Sequence, residues 1–322
     1  MQKESTKAPK KPFLKKYKNE FKAYLLIGIP LLWWGVFFVF ALLRAVYFSF
    51  TDLTFSIDRI SSFTLDHYRR VFAFGTEQFD ELFWSALGVS FIWMFVMMFA
   101  NNIMGLFVGW LLTTLKRGQR VILGFLFWPS LISSVVSAHI IGLVFSPSYA
   151  GLANRILSIF GIAAQGWFEP GSNLALPALM TLPFLLGFSG RLIIYYAAML
   201  GVPNSLYEAA KLETNSKFLA FWYVTLPLIK NAIVLNLVLS LIEGIRILAP
   251  MQLVTDGGPD NSTYSIVLYI FNLAFSGRHD SRGHPQMGLA SAYAMVVFVI
   301  ILLMTLIQFK ITGKEADNVS AG

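Results

Sequence analysis

From Leu82 to Leu115, and again from Val121 to Asn154, the chain runs without a single Asp, Glu, Lys or Arg. Stretches of this kind leave few folds open. A bilayer's hydrocarbon core is about 30 Å thick, and a helix crosses it in about 20 apolar residues. Ala23–Leu43, Pro170–Gly190 and Gly283–Phe309 are equally free of charge. A sixth stretch, Trp222–Pro250, carries Lys230, Glu243 and Arg246 but is too apolar for a surface segment. The reading is an all-α integral membrane protein with six transmembrane helices. Composition agrees, with 56% hydrophobic and 13% charged residues, 30 Phe and 8 Trp. A soluble domain of this length would expose large apolar patches, which speaks against a free cytosolic or secreted enzyme.

The first stretch follows a Lys-rich start but is too long for a signal-peptide core and lacks a cleavage site, so it is expected to stay. Six crossings put both ends on one side, and cytoplasmic loops carry the excess of Lys and Arg. With the ends inside, the inner segments hold fifteen basic residues: eight Lys between Lys3 and Lys22, then Lys116, Arg117, Arg120, Lys211, Lys217, Lys310 and Lys314. The outer segments hold six: Arg59, Arg69, Arg70, Arg155, Arg278 and Arg282. The expectation is therefore a multi-pass cell-membrane protein with cytoplasmic tails at 1–22 and 312–322 around a membrane domain at 23–311. The Lys-rich start also suits anionic lipid headgroups, which accounts for the net charge of +8 without nucleic acid. The chain has no Cys, which removes disulfides, thiolate metal sites and cysteine nucleophiles.

One inner loop, 203–220, carries a helix signal. Pro203 precedes Ser205-Leu-Tyr-Glu208, which fits a capping box, and strong helix formers follow. Leu206, Ala209, Ala210 and Leu212 give it an apolar side. Taken from the residues alone, this is either a helix lying on the bilayer or a docking helix for a cytoplasmic partner. Glu208-Ala-Ala, then Phe218 and Thr225-Leu-Pro227, resembles the EAA loop of permease subunits in binding-protein-dependent ABC importers. Where that family has Asp-Gly-Ala, this chain has Glu213-Thr214-Asn215, so the bend that glycine makes must fall to Thr214, or the helix runs on. Ser49-Phe-Thr-Asp52, His67-Tyr-Arg-Arg-Val-Phe72, Trp128-Pro129, Gly151-Leu-Ala-Asn154 and Gly257-Gly-Pro-Asp260 with Thr263 resemble its sugar branch, the maltose-permease type, without the large extracytoplasmic insertion.

The resemblance implies a type I ABC importer permease fold. It also implies two copies of an ATP-binding subunit, a second homologous permease, an extracellular solute-binding protein and a carbohydrate solute. No Gly-x-x-x-x-Gly-Lys-Ser/Thr loop occurs, so ATP hydrolysis by that mechanism falls to a separate subunit, and this chain is expected to be no enzyme, with no catalytic residue and no cofactor. The resemblance also implies that Pro203, Ser205, Glu208, Ala209, Ala210, Leu212 and Thr214 couple to the ATPase. In the same way Ser134, Leu186, Gly187, Ser240, Glu243 and Gly244 match solute-lining positions.

From the residues, Glu243 and Arg246 stand three apart and can pair on one helix face, as a structural or a solute-binding pair. Arg44 can snorkel, Arg191 can reach an internal partner or a water-filled cavity, and His139 reads as a hydrogen-bonded core histidine. His279 and His284 read as loop residues rather than metal ligands, because a third ligand is missing. The alternatives from other classes are an ion-coupled secondary transporter and a membrane-embedded enzyme. The same architecture could also import glycerol-phosphate or another polar solute.

Overall fold

A computed structural model describes residues 13–53, 62–147, 150–278 and 284–320, with the backbone alone at 13–23, 182, 186 and 311–320. The chain up to residue 12, Arg59, His279 and Arg282 lie outside the described residues, as does the side chain of Leu186. Among the described residues the secondary structure is helical apart from one isolated bridge between Thr51 and Phe63.

Four helices are long and apolar enough to cross a membrane: span 1, Tyr24–Ser49; span 2, Glu81–Thr114; span 4, Ala175–Leu200; and span 6, Met287–Lys310. Two bent pairs complete the set. Span 3 joins Gln119–Leu131 to Ser134–Val144 at 88°, and span 5 joins Lys217–Leu228 to Lys230–Ile245 at 73°. With each bent pair taken as one crossing, the six expected spans are present in order.

Both bends have local causes. Trp128-Pro129 opens a tight 3₁₀ turn, Trp128–Leu131, after which the Ser133 hydroxyl caps the next helix by accepting from Val136 N at 3.3 Å. In span 5, Pro227 has no N–H to give and follows a π-helical turn at Phe221–Thr225. Span 4 corrects the expected Pro170–Gly190. Residues 170–174 are held as a loop, with Ser172 N donating to Glu169 O and Gly171 N to the Asp260 carboxylate at 3.1 Å. The helix then continues past Arg191, because that charge finds partners inside the protein and need not end the span. A short apolar helix, Ile266–Phe275, was not foreseen.

Span 2 is the central pillar, packed against spans 4 and 5 and the helix Ile266–Phe275. Lipid is as apolar as a leucine side chain, so close approach rather than water exclusion holds such helices together, and small residues allow it. Gly105 and Gly109 provide that approach: a Cβ at Gly105 would lie 3.0 Å from Arg191 Cβ and 3.1 Å from Leu192 N. Gly244 does the same for span 5, where a Cβ would come within 2.9 Å of Met94 Cα. Span 1 stands apart. Its apolar window has no buried residue, and it meets span 6 through Phe40–Ser49.

Polar clamps fix the expected outer side. Asp80 caps span 2 by accepting from Phe83 N at 3.0 Å, and its other oxygen accepts from Tyr269 and Tyr293 hydroxyls, each at 2.6 Å. The fully buried Asn154 takes N–H donors from Gln165 and Trp167 and gives its own to the Ser146, Pro147 and Gln165 carbonyls. His67 Nε2 sits 3.0 Å from Thr51 O, and Tyr68 OH donates to Ser49 Oγ at 2.7 Å, tying the helix Asp66–Phe72 to the end of span 1.

Candidate functional site

Spans 2, 4 and 5 and the bend of span 3 enclose a cavity of about 550 Å³. Ser134, Gly187, Ser240, Glu243 and Gly244 all line it. Five sequence positions separated by up to 110 residues thus meet at one place; Leu186 is next to Gly187 on span 4. Gly187 sits at the step between Ala175–Leu186 and Ser189–Leu200, and a Cβ there would meet Pro183 O at 2.3 Å and the Asn101 amide at 3.0 Å.

The charge pair is not the one expected. Glu243 pairs with Arg191 of span 4 rather than with Arg246. The helix ends at Ile245, and Arg246 has already left helical geometry at φ −86°, ψ 15°, so the three-residue spacing no longer sets the two side chains side by side; Arg246 is exposed. Arg191 does reach an internal partner, as expected, and its side chain is only 11% exposed against 65% for Glu243.

Ser240 organises the pair. Its hydroxyl donates to Asn236 O at 2.7 Å and accepts from Arg191 Nε at 2.9 Å and Asn102 Nδ2 at 2.8 Å. A hydroxyl has one proton and two lone pairs, so all three capacities are used. The residue positions Arg191 instead of offering a free hydroxyl to a solute. Tyr195 OH closes the network by donating to Asn102 Oδ1 at 2.7 Å.

Sequence reasoning missed Asn101 and Asn102. A signal existed, since two adjacent amides inside a charge-free span are costly unless partnered or used. Asn102 is used in the network; Asn101 Oδ1 is buried in the cavity wall with no hydrogen-bond partner. His139 corrects another expectation. Its Nδ1 lies 2.8 Å from Val135 O of its own helix, but the ring is exposed on the isolated chain rather than held in a core. Arg44 lies over the Phe40 and Phe48 rings at 5.8 and 5.1 Å. Among the described residues no group of three His, Asp or Glu could hold a metal ion.

At the other end of the molecule, the inner loop is the helix Asn204–Glu213. The capping box does not form: Pro203 is the N-cap, with no side-chain cap, and Ser205 lies inside the first turn. With Pro203 as the cap, the helix starts two residues earlier than a Ser205 cap would start it. Thr214 makes the bend, at φ −150° and ψ 137°, and the next helix, Lys217–Ala220, is capped by Ser216. The helix has no buried residue; Leu212 is 90% exposed, and Ser205, Glu208 and Ala209 are exposed with it, while Ala210 is half-buried. Tyr207 anchors it, its hydroxyl 2.8 Å from Thr225 Oγ1 at the foot of span 5.

A multi-span helical membrane protein with a partly polar cavity between its spans and a tethered helix without buried residues at one end is an arrangement that suits a permease. The chain matches the model of the binding-protein-dependent transport system inner membrane component over residues 101–312, and it belongs to that family. The trehalose/maltose transport system permease protein MalF of Thermococcus litoralis is 28% identical, covering 94% of this chain and 97% of that one. The multiple sugar-binding transport system permease protein MsmF of Streptococcus mutans is 23% identical over 94% and 98%. In fold, the chain is similar to a chain of a bacterial alginate ABC transporter solved with an alginate pentasaccharide-bound periplasmic protein. The TM-score is 0.76 at 19% identity, covering 94% of this chain and 97% of that one.

Proposed function

We propose that this chain is one of two permeases of an ATP-driven importer that carries a sugar or oligosaccharide, delivered by an extracellular binding protein, through the cavity between spans 2, 3, 4 and 5. The observation that carries the reading is the meeting of Ser134, Gly187 and Glu243 in one cavity of mixed polar and apolar lining between the spans. A hydroxyl-rich solute needs hydrogen-bond partners once out of water, and this is where the chain offers them. The names of the sugar-system relatives support carbohydrate as the solute class.

Energy enters from outside the chain. The helix Asn204–Glu213, with no buried residue and tied to span 5 through Tyr207, suits a contact with an ATP-binding subunit on the cytoplasmic side. Through Pro203, Ser205, Glu208, Ala209, Ala210, Leu212 and Thr214, a push on this helix would be passed to the span that carries Glu243.

The test is purification and uptake. Two ATP-binding subunits and a second permease should co-purify. Cells carrying the complete system should take up at least one of labelled maltotriose, trehalose and raffinose, and not glycerol 3-phosphate. Ser134→Trp, which fills the cavity from an exposed position, should abolish that uptake with assembly intact. Normal uptake in Ser134→Trp, or transport by this chain alone in liposomes under an ion gradient, would overturn the reading.

A further inference from the structure

Among the described residues, the cavity is lined by two formally charged side chains, Arg191 and Glu243, and they are bonded to each other. The asymmetry of that pair is informative. Arg191 is nearly enclosed, with Nε given to Ser240 and Nη2 to Glu243, whereas most of the Glu243 side chain faces open space. A guanidinium does not lose its proton, so its charge in the wall of a low-dielectric cavity is permanent. Left alone, it would concentrate anions there.

We infer that Glu243 is a specificity-determining residue: by cancelling Arg191 it makes the cavity formally neutral, so the path takes uncharged, hydroxyl-bearing solutes and favours neither sugar acids nor sugar phosphates. This rests on the proposal that the cavity is the solute path. A solute carboxylate would have to displace Glu243 from Arg191. A solute cation would have to draw Glu243 away, leaving a buried guanidinium without a counter-charge. What remains for a solute is uncharged: the Ser134 hydroxyl on an exposed helix start, and the Asn101 amide in the wall. Ser240 has no capacity left, so the neutral contacts fall to the other polar groups of the wall, the hydroxyls of Ser130, Ser134 and Ser137 among them.

The absence of native Cys allows a direct reading of cavity charge that needs no knowledge of the solute. Ser134→Cys is placed in the complete importer in nanodiscs. Its reaction rates are measured with a negatively charged sulfonatoethyl, a positively charged trimethylammonioethyl and an uncharged methyl methanethiosulfonate. The ratio of anionic to cationic rates should match that of a free thiol in the same buffer. Adding Glu243→Gln should raise it about tenfold, adding Arg191→Gln should lower it about tenfold, and the two together should restore it. Should Glu243→Gln fail to assemble, Arg191→Gln and the double variant still decide, since Glu243 is already largely exposed. Ratios that ignore both substitutions, or an unsubstituted ratio already skewed tenfold to either ion, would overturn the inference. Failure of the path reading registers separately: uptake of the transported panel saccharide would then survive modification of Ser134→Cys by the uncharged reagent.

Discussion

Ser240 and His67 show what a single polar residue does in this protein. Ser240 looks like a solute contact by position, but its three hydrogen bonds commit it to holding Arg191. His67 is half-buried between the end of span 1 and the start of span 6. A carbonyl only accepts, so Nε2 donates to Thr51 O, and Nδ1 is the bare nitrogen, buried without a partner. Burial first, and Arg70 beside it, hold its pKa below the usual 6.5, while Thr51 and the carboxylates of Asp66 and Asp52 pull the other way. The folded state therefore binds this proton less readily than the unfolded chain. The clamp's stability is complete above about pH 6.5 and declines as pH falls through that value toward the lowered pKa. Thermal unfolding of the detergent-solubilised protein should show this acid-side loss, and His67→Gln should flatten it; identical pH profiles would rule out His67 as the cause.

At the scale of elements, the bends decide function. Trp128-Pro129 folds span 3 so that Ser134 turns into the cavity, and Pro227 with the π-helical turn before it redirects span 5. Thr214 takes the extended conformation and ends the inner helix without the glycine that the related loops use. No left-handed residue is required there, which is why threonine serves. Ala209, exposed on that helix, is a position at which bulk would reach a docked partner. Ala209→Trp should keep membrane insertion and lower solute-stimulated ATP hydrolysis of the assembled importer roughly tenfold, as expected for an overpacked contact costing on the order of 1–3 kcal/mol. Unchanged hydrolysis would leave the helix as an interfacial one only.

For the whole molecule, the orientation proposed from the Lys and Arg distribution puts the inner helix and the Lys116–Arg120 loop in the cytoplasm, and the Asp80 and Asn154 clamps outside. Single cysteines test it on a background without any. Ser62→Cys and Asn173→Cys, both exposed, should react in intact cells with a membrane-impermeant thiol reagent, and Arg117→Cys only after the membrane is opened. Labelling of Arg117→Cys in intact cells would reverse the topology. The bare flank of span 1 belongs to the same scale, since an apolar helix with no buried residue in its window is stable only against lipid or another subunit.

Five of the crossings were legible in the sequence as charge-free stretches, a one-dimensional property that the bilayer reads directly, and the remaining one, with Lys230, Glu243 and Arg246, through its apolar remainder. The sequence also offered Thr214 as one of two outcomes for the inner helix and, through family resemblance, the cavity positions Ser134, Gly187, Ser240, Glu243 and Gly244; the bend at Trp128-Pro129 came only with the structure. Tertiary structure decided which groups meet. Glu243 takes Arg191, 52 residues away, over Arg246, three away, because the helix ends between Glu243 and Arg246 and because Gly105 and Gly109 let span 4 come close enough to span 2 to place the guanidinium. Likewise the fourth span outran its charge-free stretch, since a charge ends a crossing only when nothing inside the protein can pair with it.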